Sequence, residues 1–554
     1  MIATDPAQAF DLIVRNGTLY DGSGGEPYAA DIAVQGDRIA RIGGLDSARG
    51  GTELDARGMA VAPGFVNMLS HSYITLLQDG RSLGELKQGV TLQIFGEGFS
   101  MGPQTPEMRE NAQKKAQETH GSVTIAWSSL AEYLAHAEQK GISQNIASFI
   151  GATSLRIYAV GQDDRPATSA EMDVMRGLVR DEMSAGALGI GSSLIYPPAF
   201  FASTEELIGL CKAASPYKGK YISHMRDEGN RLIEAIDELV RISREGGVPA
   251  EIWHLKAAGK SNWHKLDGVI EKVESLRAHG ESITADMYTY TAGGTGLSNI
   301  IPPWFHDGGP RKLLERLDDP AIRAEIRRTI ETSSDGWENL YAQSSGPDDI
   351  LIVAVRKEEN RPYQGKTLRA VAQMLELDPI DAVFELIRRD RSRIATVYFM
   401  MSEDNVRRQV TLPWVSFGSD ASSTAVGPTP ADDGGEAVPP ATGTHPRAYG
   451  NFARLLGKYV RDEGLIPLAE AIRRLTRFPC ENLGIDDRGR LQAGCFADIV
   501  VFDPATITDR ATYEDPHQYA VGVRDVIVNG VVTLRDGEFA GRFGGRAVYG
   551  PGKR

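Results

Sequence analysis

Short apolar runs alternate with longer amphipathic stretches through most of the chain. The run Tyr221–His224 is followed by an amphipathic stretch, Leu232–Gly246, and by a second apolar run, Glu251–His254, which predicts a strand, a helix and a strand. Repeated units of this kind build parallel sheets and barrels. The runs that we assign to barrel strands are Met59–Leu69, Val90–Phe95, Ile146–Gly151, Leu188–Ser192, Tyr221–His224, Glu251–His254, Ile283–Tyr288 and Trp414–Ser419. Together they predict an α/β fold, a (β/α)8 TIM barrel, over residues 63–486.

The two ends of the chain carry a different pattern, in which apolar and polar positions alternate and then turn at Asn-Gly or Asp-Gly. Residues 11–22 and 525–534 both follow it, and Ala497–Phe502 supplies a further strand. Strands of this kind at both ends predict one small β-sandwich domain assembled from residues 1–62 and 487–554.

The interval between the last two predicted barrel strands is too long for one helix and a loop. It contains polar helical sequence at Pro310–Thr332, which predicts a small inserted subdomain over about residues 297–395. A run rich in glycine and proline, Gly427–Gly443, predicts a loop that acts as a lid.

Composition narrows the class of protein. A chain of 554 residues with 41% hydrophobic content can bury a large core and predicts more than one domain. The net charge of −14 argues against nucleic acid or an anionic membrane as a partner. Three widely spaced cysteines, Cys211, Cys480 and Cys495, fit a reducing compartment and argue against a disulfide framework. Without a signal-peptide pattern or an apolar stretch of membrane-spanning length, we expect a cytoplasmic protein whose oligomeric state stays open.

His224 and His254 end adjacent predicted strands, at the carboxyl ends where parallel barrels build their chemistry. Two imidazoles at neighbouring strand ends can share one divalent ion, and zinc suits nitrogen ligands. The alternative is a pair of buried histidines that are hydrogen-bonded in the core. Their matched positions favour the metal.

Further polar residues follow other strand ends: His71 the first, Glu97 the second and Asp420 the eighth. The surrounding motifs are Pro63-Gly64-Phe65, Gly98-Phe99-Ser100, Gly191-Ser192-Ser193-Leu194-Ile195-Tyr196-Pro197-Pro198, Ser223-His224-Met225-Arg226, His254-Leu255-Lys256, Ser419-Asp420 and His445-Pro446-Arg447. In this order, and over nearly the whole chain, the sequence resembles the N-acyl-D-amino-acid deacylase (D-aminoacylase) family of the amidohydrolase superfamily.

The chain departs from the family pattern at the metal site. Family members usually carry His-x-His after Pro-Gly-Phe, and here the first of these histidines is Leu69 and the second is His71. The aspartate that normally precedes them is Asn67, and Glu97 stands where the family has a zinc-binding cysteine. Leucine cannot bind a metal, whereas glutamate is a zinc ligand with the same unit charge as a thiolate.

The resemblance therefore implies one tightly bound zinc ion on Glu97, His224 and His254, with water in the fourth position and a second site that is weak or absent. The alternative for Glu97 is a carboxylate that is paired with a nearby cation or caps a helix, and its flanking glycines would also suit a plain turn. His71 stays open between a weak-site ligand, a hydrogen-bond donor to substrate and a packed histidine. The fourth strand end, Gly189–Ser192, lacks a lysine that could bridge two metals.

The resemblance also implies roles in catalysis and recognition. Asp420 would be the general base that takes a proton from zinc-bound water and delivers it to the departing nitrogen, with a plain helix cap as the alternative. Lys256, Arg447 and Tyr196 would hold the substrate α-carboxylate, which a guanidinium can bind through two hydrogen bonds. Ordinary salt bridges are the alternative for both cations.

These expectations predict a zinc-dependent amidohydrolase that cleaves the amide bond of a small molecule, an N-acyl amino acid, to a carboxylate and a free amino acid. The D configuration of that amino acid is implied by the resemblance alone. A cyclic-amide or dipeptide hydrolase on the same barrel and a non-catalytic scaffold are the alternatives. Leu69 favours the scaffold, and the retained Glu97, His224, His254 and Asp420 argue against it.

Overall fold

The computed structural model describes residues 9–120, 123–332, 335–391, 393–427 and 443–554. Its strands are β1 (Ala9–Leu19), β2 (Tyr28–Gln35), β3 (Arg38–Gly43), β4 (Arg49–Asp55), β5 (Ala60–Pro63), β6 (Phe65–Asn67), β7 (Val90–Phe95), β8 (Asn145–Ser148), β9 (Ile150–Gly151), β10 (Gly189–Ser193), β11 (Lys220–His224), β12 (Ala250–Ile252), β13 (Ile283–Met287), β14 (Gly293–Gly296), β15 (Ile350–Ala354), β16 (Lys366–Thr367), β17 (Ala395–Tyr398), β18 (Val415–Phe417), β19 (Ile499–Phe502), β20 (Val523–Val528), β21 (Val531–Arg535) and β22 (Glu538–Phe539).

The helices connect these strands and cover the barrel. The α-helices are α1 (Thr75–Gln78), α2 (Leu83–Leu86), α3 (Pro106–His120), α4 (Leu130–Lys140), α5 (Ala152–Ala159), α6 (Ser169–Ala185), α7 (Thr204–Ala214), α8 (Leu232–Gly246), α9 (Lys265–Ala278), α10 (Pro310–Asp318), α11 (Pro320–Thr332), α12 (Leu340–Gln343), α13 (Leu368–Leu375), α14 (Pro379–Asp390), α15 (Glu403–Val410), α16 (Arg447–Arg454), α17 (Leu468–Leu475) and α18 (Arg477–Leu483). A π-helix spans Leu455–Asp462, and short 3-10 helices span Ala199–Phe201, Ser215–Tyr217, Lys260–Asn262, Leu297–Ile300, Pro303–His306, Pro347–Asp349 and Glu358–Tyr363. None of the described helices is both long enough and apolar enough to cross a membrane.

Parallel strands close a barrel in the order β6, β7, β8/β9, β10, β11, β12, β13 and β18. β8 and β9 form one strand position that is interrupted at Phe149, whose N–H donates to the Phe95 carbonyl at 2.9 Å. The barrel closes where the Met68 N–H donates to the Phe417 carbonyl at 3.1 Å. The predicted (β/α)8 fold is confirmed.

The predicted bounds of Val90–Phe95 match the structure, the other barrel strands differ by a residue or two at their ends, and two of these differences change the path of the chain. The predicted strand Met59–Leu69 is divided into β5 and β6, because the chain leaves the terminal sheet at Gly64. A side chain does not fit there, since a Cβ would lie 2.1 Å from Thr91 Oγ1. β12 ends at Ile252, so His254 lies beyond the strand in a turn with a φ of 35°.

Strands from both ends of the chain form one nine-stranded sheet in the order β22-β21-β20-β19-β5-β1-β2-β3, with β4 paired to β1. β1 pairs with β2 on one edge and with β4 and then β5 on the other, so the sheet branches there. Leu12, Val14 and Ile32 from the first end pack in one core with Ile499 and Ile527 from the second. Burial of this shared apolar face explains why the two ends assemble.

A smaller antiparallel sheet, in the order β14-β17-β15-β16, lies between β13 and β18 in the sequence. Together with α10–α14 it buries its own apolar core, which includes Ile326, Ile350 and Val383. We call residues 293–398 the insertion. The predicted lid, Gly427–Gly443, falls on residues 428–442 that lie outside the described part of the chain.

Candidate metal centre and active site

Glu97 lies at the centre of the predicted site, in the turn after β7. Its Oε1 is 2.9 Å from His224 Nδ1 and 3.1 Å from His254 Nε2. Gly96 and Gly98 flank it with φ values of 110° and 67°. A Cβ at Gly98 would lie 2.6 Å from the Ser193 Cβ, so both the backbone conformation and the available space require glycine there.

The two histidines reach Glu97 from neighbouring strand ends. His224 is the last residue of β11, and the left-handed turn at His254 is held by Asp286, whose Oδ1 accepts the His254 N–H at 3.0 Å. The two imidazole rings have centroids 4.5 Å apart and are nearly perpendicular, at 83°. Each ring therefore directs one nitrogen at the same carboxylate.

The donor set of Glu97, His224 and His254 fits a zinc ion, because one carboxylate and two imidazoles are zinc ligands and their ligand atoms all lie within 4.8 Å of one another. Burial alone would raise the pKa of Glu97, but hydrogen bonds from His224, His254 and His71 hold it well below its usual range. Burial and the Lys256 charge oppose protonation of His254, yet Glu228 and Glu97 raise its pKa to about 10. A proton on the His254 ring thus supplies positive charge at the point where a divalent ion would supply it.

His71 connects this cluster to Asp420. Its Nε2 lies 2.9 Å from Asp420 Oδ1 and 3.1 Å from Glu97 Oε2. Burial works against the charged ring, but the hydrogen bonds to Asp420 and Glu97 raise the pKa of His71 to about 9. His71, Glu97 and Asp420 form a second group of potential metal ligands within 4.8 Å.

The two family departures next to His71 have different structural roles. Leu69 is fully buried and packs inside the barrel with Ile222 and Trp253, so it offers the second group no ligand. Asn67 joins the first and last barrel strands, because its Nδ2 donates to Ser419 Oγ at 2.8 Å and its Oδ1 accepts the Ser419 N–H at 2.8 Å.

Asp420 follows β18 in a left-handed conformation, with a φ of 47°. Arg447 Nη2 is 2.9 Å from Asp420 Oδ2, and its guanidinium carbon lies 4.4 Å from the Tyr288 ring centroid. Burial would raise the pKa of Asp420, but Arg447 and His71 lower it to about 2. Arg447 is only 2% exposed, yet its Nε and Nη1 find no hydrogen-bond partner in the described ranges.

Lys256 lies beyond β12, after the turn at His254, and not on a barrel strand. Lys256 Nζ lies 2.8 Å from both carboxylate oxygens of Glu228 and 2.7 Å from His254 Nδ1. The third predicted recognition residue, Tyr196, lies with its ring centroid 5.2 Å from that of His224.

Two acidic residues that the sequence analysis missed lie behind the histidines. Glu228 follows His224 by four positions, a spacing on one segment that could have drawn attention to it. Glu338 comes from the insertion, and its Oε2 accepts the Glu228 N–H at 3.0 Å. No motif surrounds Glu338, so nothing in the sequence indicates this contact.

An ion-binding set beside a carboxylate, at the carboxyl ends of a (β/α)8 barrel, is typical of metal-dependent hydrolases. The chain belongs to the amidohydrolase family, whose model (Amidohydro_3) matches residues 52–534. It is 34% identical over 543 residues to D-aminoacylase from Alcaligenes xylosoxydans xylosoxydans, covering 98% of each chain.

Solved structures agree with this assignment. A structure of D-aminoacylase, described as having a binuclear metal centre with one-metal activation and second-metal attenuation, is 30% identical and has a TM-score of 0.78, with coverage of 98% of this chain and 100% of that one. N-acyl-D-glutamate deacylase from Bordetella bronchiseptica, solved with zinc and a phosphonate mimic of the tetrahedral intermediate, is 27% identical at a TM-score of 0.78, with the same coverage. The predicted family, fold and enzyme class are confirmed.

Proposed function

We propose that this chain hydrolyses the amide bond of N-acyl-D-amino acids, releasing a carboxylate and a free D-amino acid. The observation that carries the proposal is the convergence of Glu97, His224 and His254 on one point, with Asp420 connected to it through His71. The likeness to D-aminoacylase over 98% of both chains supports the substrate class and is the source of the D configuration.

Glu97, His224 and His254 would hold one zinc ion. When bound there, such an ion polarises the amide carbonyl and lowers the pKa of water toward neutrality. The second group would hold an ion only weakly, because Leu69 cannot add a ligand to His71, Glu97 and Asp420.

Asp420 is the proton carrier in this proposal. Its low pKa keeps it ionised near neutral pH, so it accepts the proton of the attacking water. It then gives that proton to the nitrogen, because an unprotonated amide nitrogen is a poor leaving group. His71 holds one of its oxygens and Arg447 the other, which fixes the carboxylate at the reacting bond.

Arg447 is the main anchor for the α-carboxylate. Its Nε and Nη1 are buried donors that lack a partner within the described residues, and a carboxylate accepts from two guanidinium N–H groups at once. Tyr196 would complete the recognition from the His224 side, and Lys256 would join it by exchanging one of its contacts with Glu228 or His254 for the substrate.

The test is a screen of N-acetyl and N-formyl D- and L-amino acids with the metal-free protein and the zinc-reconstituted protein. We expect zinc-dependent release of free amino acid from D substrates, and a D-over-L preference. Cyclic amides and dipeptides serve as competing substrates. A folded, zinc-loaded protein that turns over none of the N-acyl amino acids, of either configuration, would contradict the proposal.

A further inference from the structure

One carboxylate lies behind both histidines. His224 and His254 each turn one ring nitrogen to Glu97, and the opposite nitrogen of each ring faces Glu228. Glu228 Oε1 is 3.0 Å from His254 Nδ1, and Glu228 Oε2 is 3.5 Å from His224 Nε2. An imidazole that binds a metal through one nitrogen carries its hydrogen on the other. On His254 that nitrogen, Nδ1, lies between Glu228 and Lys256 Nζ, which is 2.7 Å away, whereas His224 Nε2 makes no hydrogen bond among the described residues.

Glu228 also belongs to a third group of potential metal ligands, with His224 and Glu338, but its oxygens already have a cation of the chain as their partner. Both of its oxygens accept from the Lys256 ammonium at 2.8 Å, and the pair is nearly fully buried. Positive charge next to this carboxylate is therefore already supplied by the chain itself. The other close contact of Glu228 is with His254 Nδ1, so its remaining task is to orient that ring.

Glu338 ties Glu228 to the insertion. Its Oε2 accepts the Glu228 backbone N–H at 3.0 Å, across 110 positions of sequence. Glu338 is 5% exposed, and its Oε1 has no hydrogen-bond partner among the residues that the structure describes. A buried acidic group at such a position costs stability, so a compensating role at the neighbouring site is expected.

We infer that Glu228 and Glu338 are positioning residues of the metal centre. Glu228 positions the His254 ring, directly and through Lys256, and Glu338 fixes Glu228, so the insertion is a working part of the centre. This inference rests on the proposed role of His224 and His254 as zinc ligands.

The test measures the zinc dissociation constant of the metal-free protein by competition with a chromogenic chelator, with no substrate present. Glu228→Gln places an amide N–H₂ against Lys256, so we expect affinity to fall about 10–100-fold. Glu338→Asp keeps the carboxyl group but shortens the reach, and we expect about a tenfold loss. We expect Glu338→Gln to retain most of the wild-type zinc affinity, because its amide oxygen can still accept the Glu228 N–H.

The matched control is Glu331→Ala, on the same insertion, which removes an exposed glutamate paired with Arg327 and should leave the zinc affinity unchanged. At saturating zinc, Glu338→Asp should regain most of the wild-type kcat, which a general packing defect would not allow. Wild-type zinc affinity in both Glu228→Gln and Glu338→Asp would overturn the inference. Zinc affinity is read without turnover, so a failure of the proposed hydrolysis is recognised separately.

Discussion

Contacts with other segments position Asp420 as much as the preceding strand does. His71 comes from the other side of the barrel seam and Arg447 from the start of α16, and each holds one carboxylate oxygen. The residue type and its place after an apolar strand are visible in the sequence. Neither His71 nor Arg447 is paired with Asp420 in the sequence analysis, because a hydrogen bond between distant segments leaves no periodic signal.

Replacing Asp420 by Asn keeps the size of the side chain and removes its ability to take a proton. We expect kcat for an N-acyl-D-amino acid to fall about 10²–10⁴-fold while one zinc ion per chain stays bound. Zinc content by atomic absorption and initial rates check this. Asp404→Asn, at a carboxylate that is 91% exposed, is the control and should leave both unchanged. Retention of most of the activity in Asp420→Asn would show that another group carries the proton.

We expect Leu69 to determine how the activity responds to excess metal. In the D-aminoacylase relative, a second metal attenuates activity. Here the apolar Leu69 side chain packs inside the barrel and adds nothing to His71, Glu97 and Asp420. We therefore expect activity to reach a plateau at one zinc equivalent and to stay level over a further tenfold excess. A marked decline beyond the first equivalent, with the protein still folded, would contradict this.

At the scale of elements, the turns after the barrel strands are less predictable than the strands. The apolar runs place every barrel strand, since burial on both faces of a parallel sheet demands them. The turns at Glu97 and His254 depend on positive φ values and on contacts with Ser193 and Asp286, which no run of residues displays. Glu338 is the extreme case, because it reaches the centre from an insertion that only the three-dimensional packing brings close.

Gly98 offers a test of the turn that presents Glu97. Gly98→Ala forces a Cβ to within 2.6 Å of Ser193 Cβ, in addition to the strain of a positive φ, so Glu97 must move. We expect zinc affinity at least tenfold weaker, measured by chelator competition. Gly58→Ala is the matched control, since its φ of 77° is similar and no atom lies within 4 Å of the added Cβ. It should cost only about 1 kcal/mol of stability. Equal zinc affinity in the two variants would show that the turn at Gly98 does not determine the position of Glu97.

At the scale of the whole molecule, the last residues of the chain support the barrel from the face opposite the site. The Val548 N–H donates to the Ile146 carbonyl at 2.8 Å at the start of β8, and its side chain lies in the core with Leu188 and Ile485. Contacts of this kind stabilise the barrel and leave the chemistry at the carboxyl ends alone.

Val548→Asp buries a charge in that core. We expect the free energy of unfolding, measured by urea denaturation, to fall by about 3 kcal/mol. The zinc affinity of the folded protein should stay within twofold of wild type, because the change lies on the other face of the barrel. Val174→Asp, at a valine that is 47% exposed, is the control and should be nearly neutral. A large loss of zinc affinity in Val548→Asp would show that the two faces are coupled.

The pairing of β5 with β19 has a consequence for synthesis on the ribosome. Pro63 lies opposite Ile499 in this ladder. One edge of β5 therefore stays unpaired until β19 has been synthesised, about 440 residues later. At ordinary translation rates that delay is roughly half a minute to a minute and a half, during which the nascent amino-terminal half exposes unpaired backbone and apolar side chains. Slow decoding or premature termination after the barrel would therefore leave an aggregation-prone intermediate. We expect its dependence on chaperones to increase with the time spent in that state.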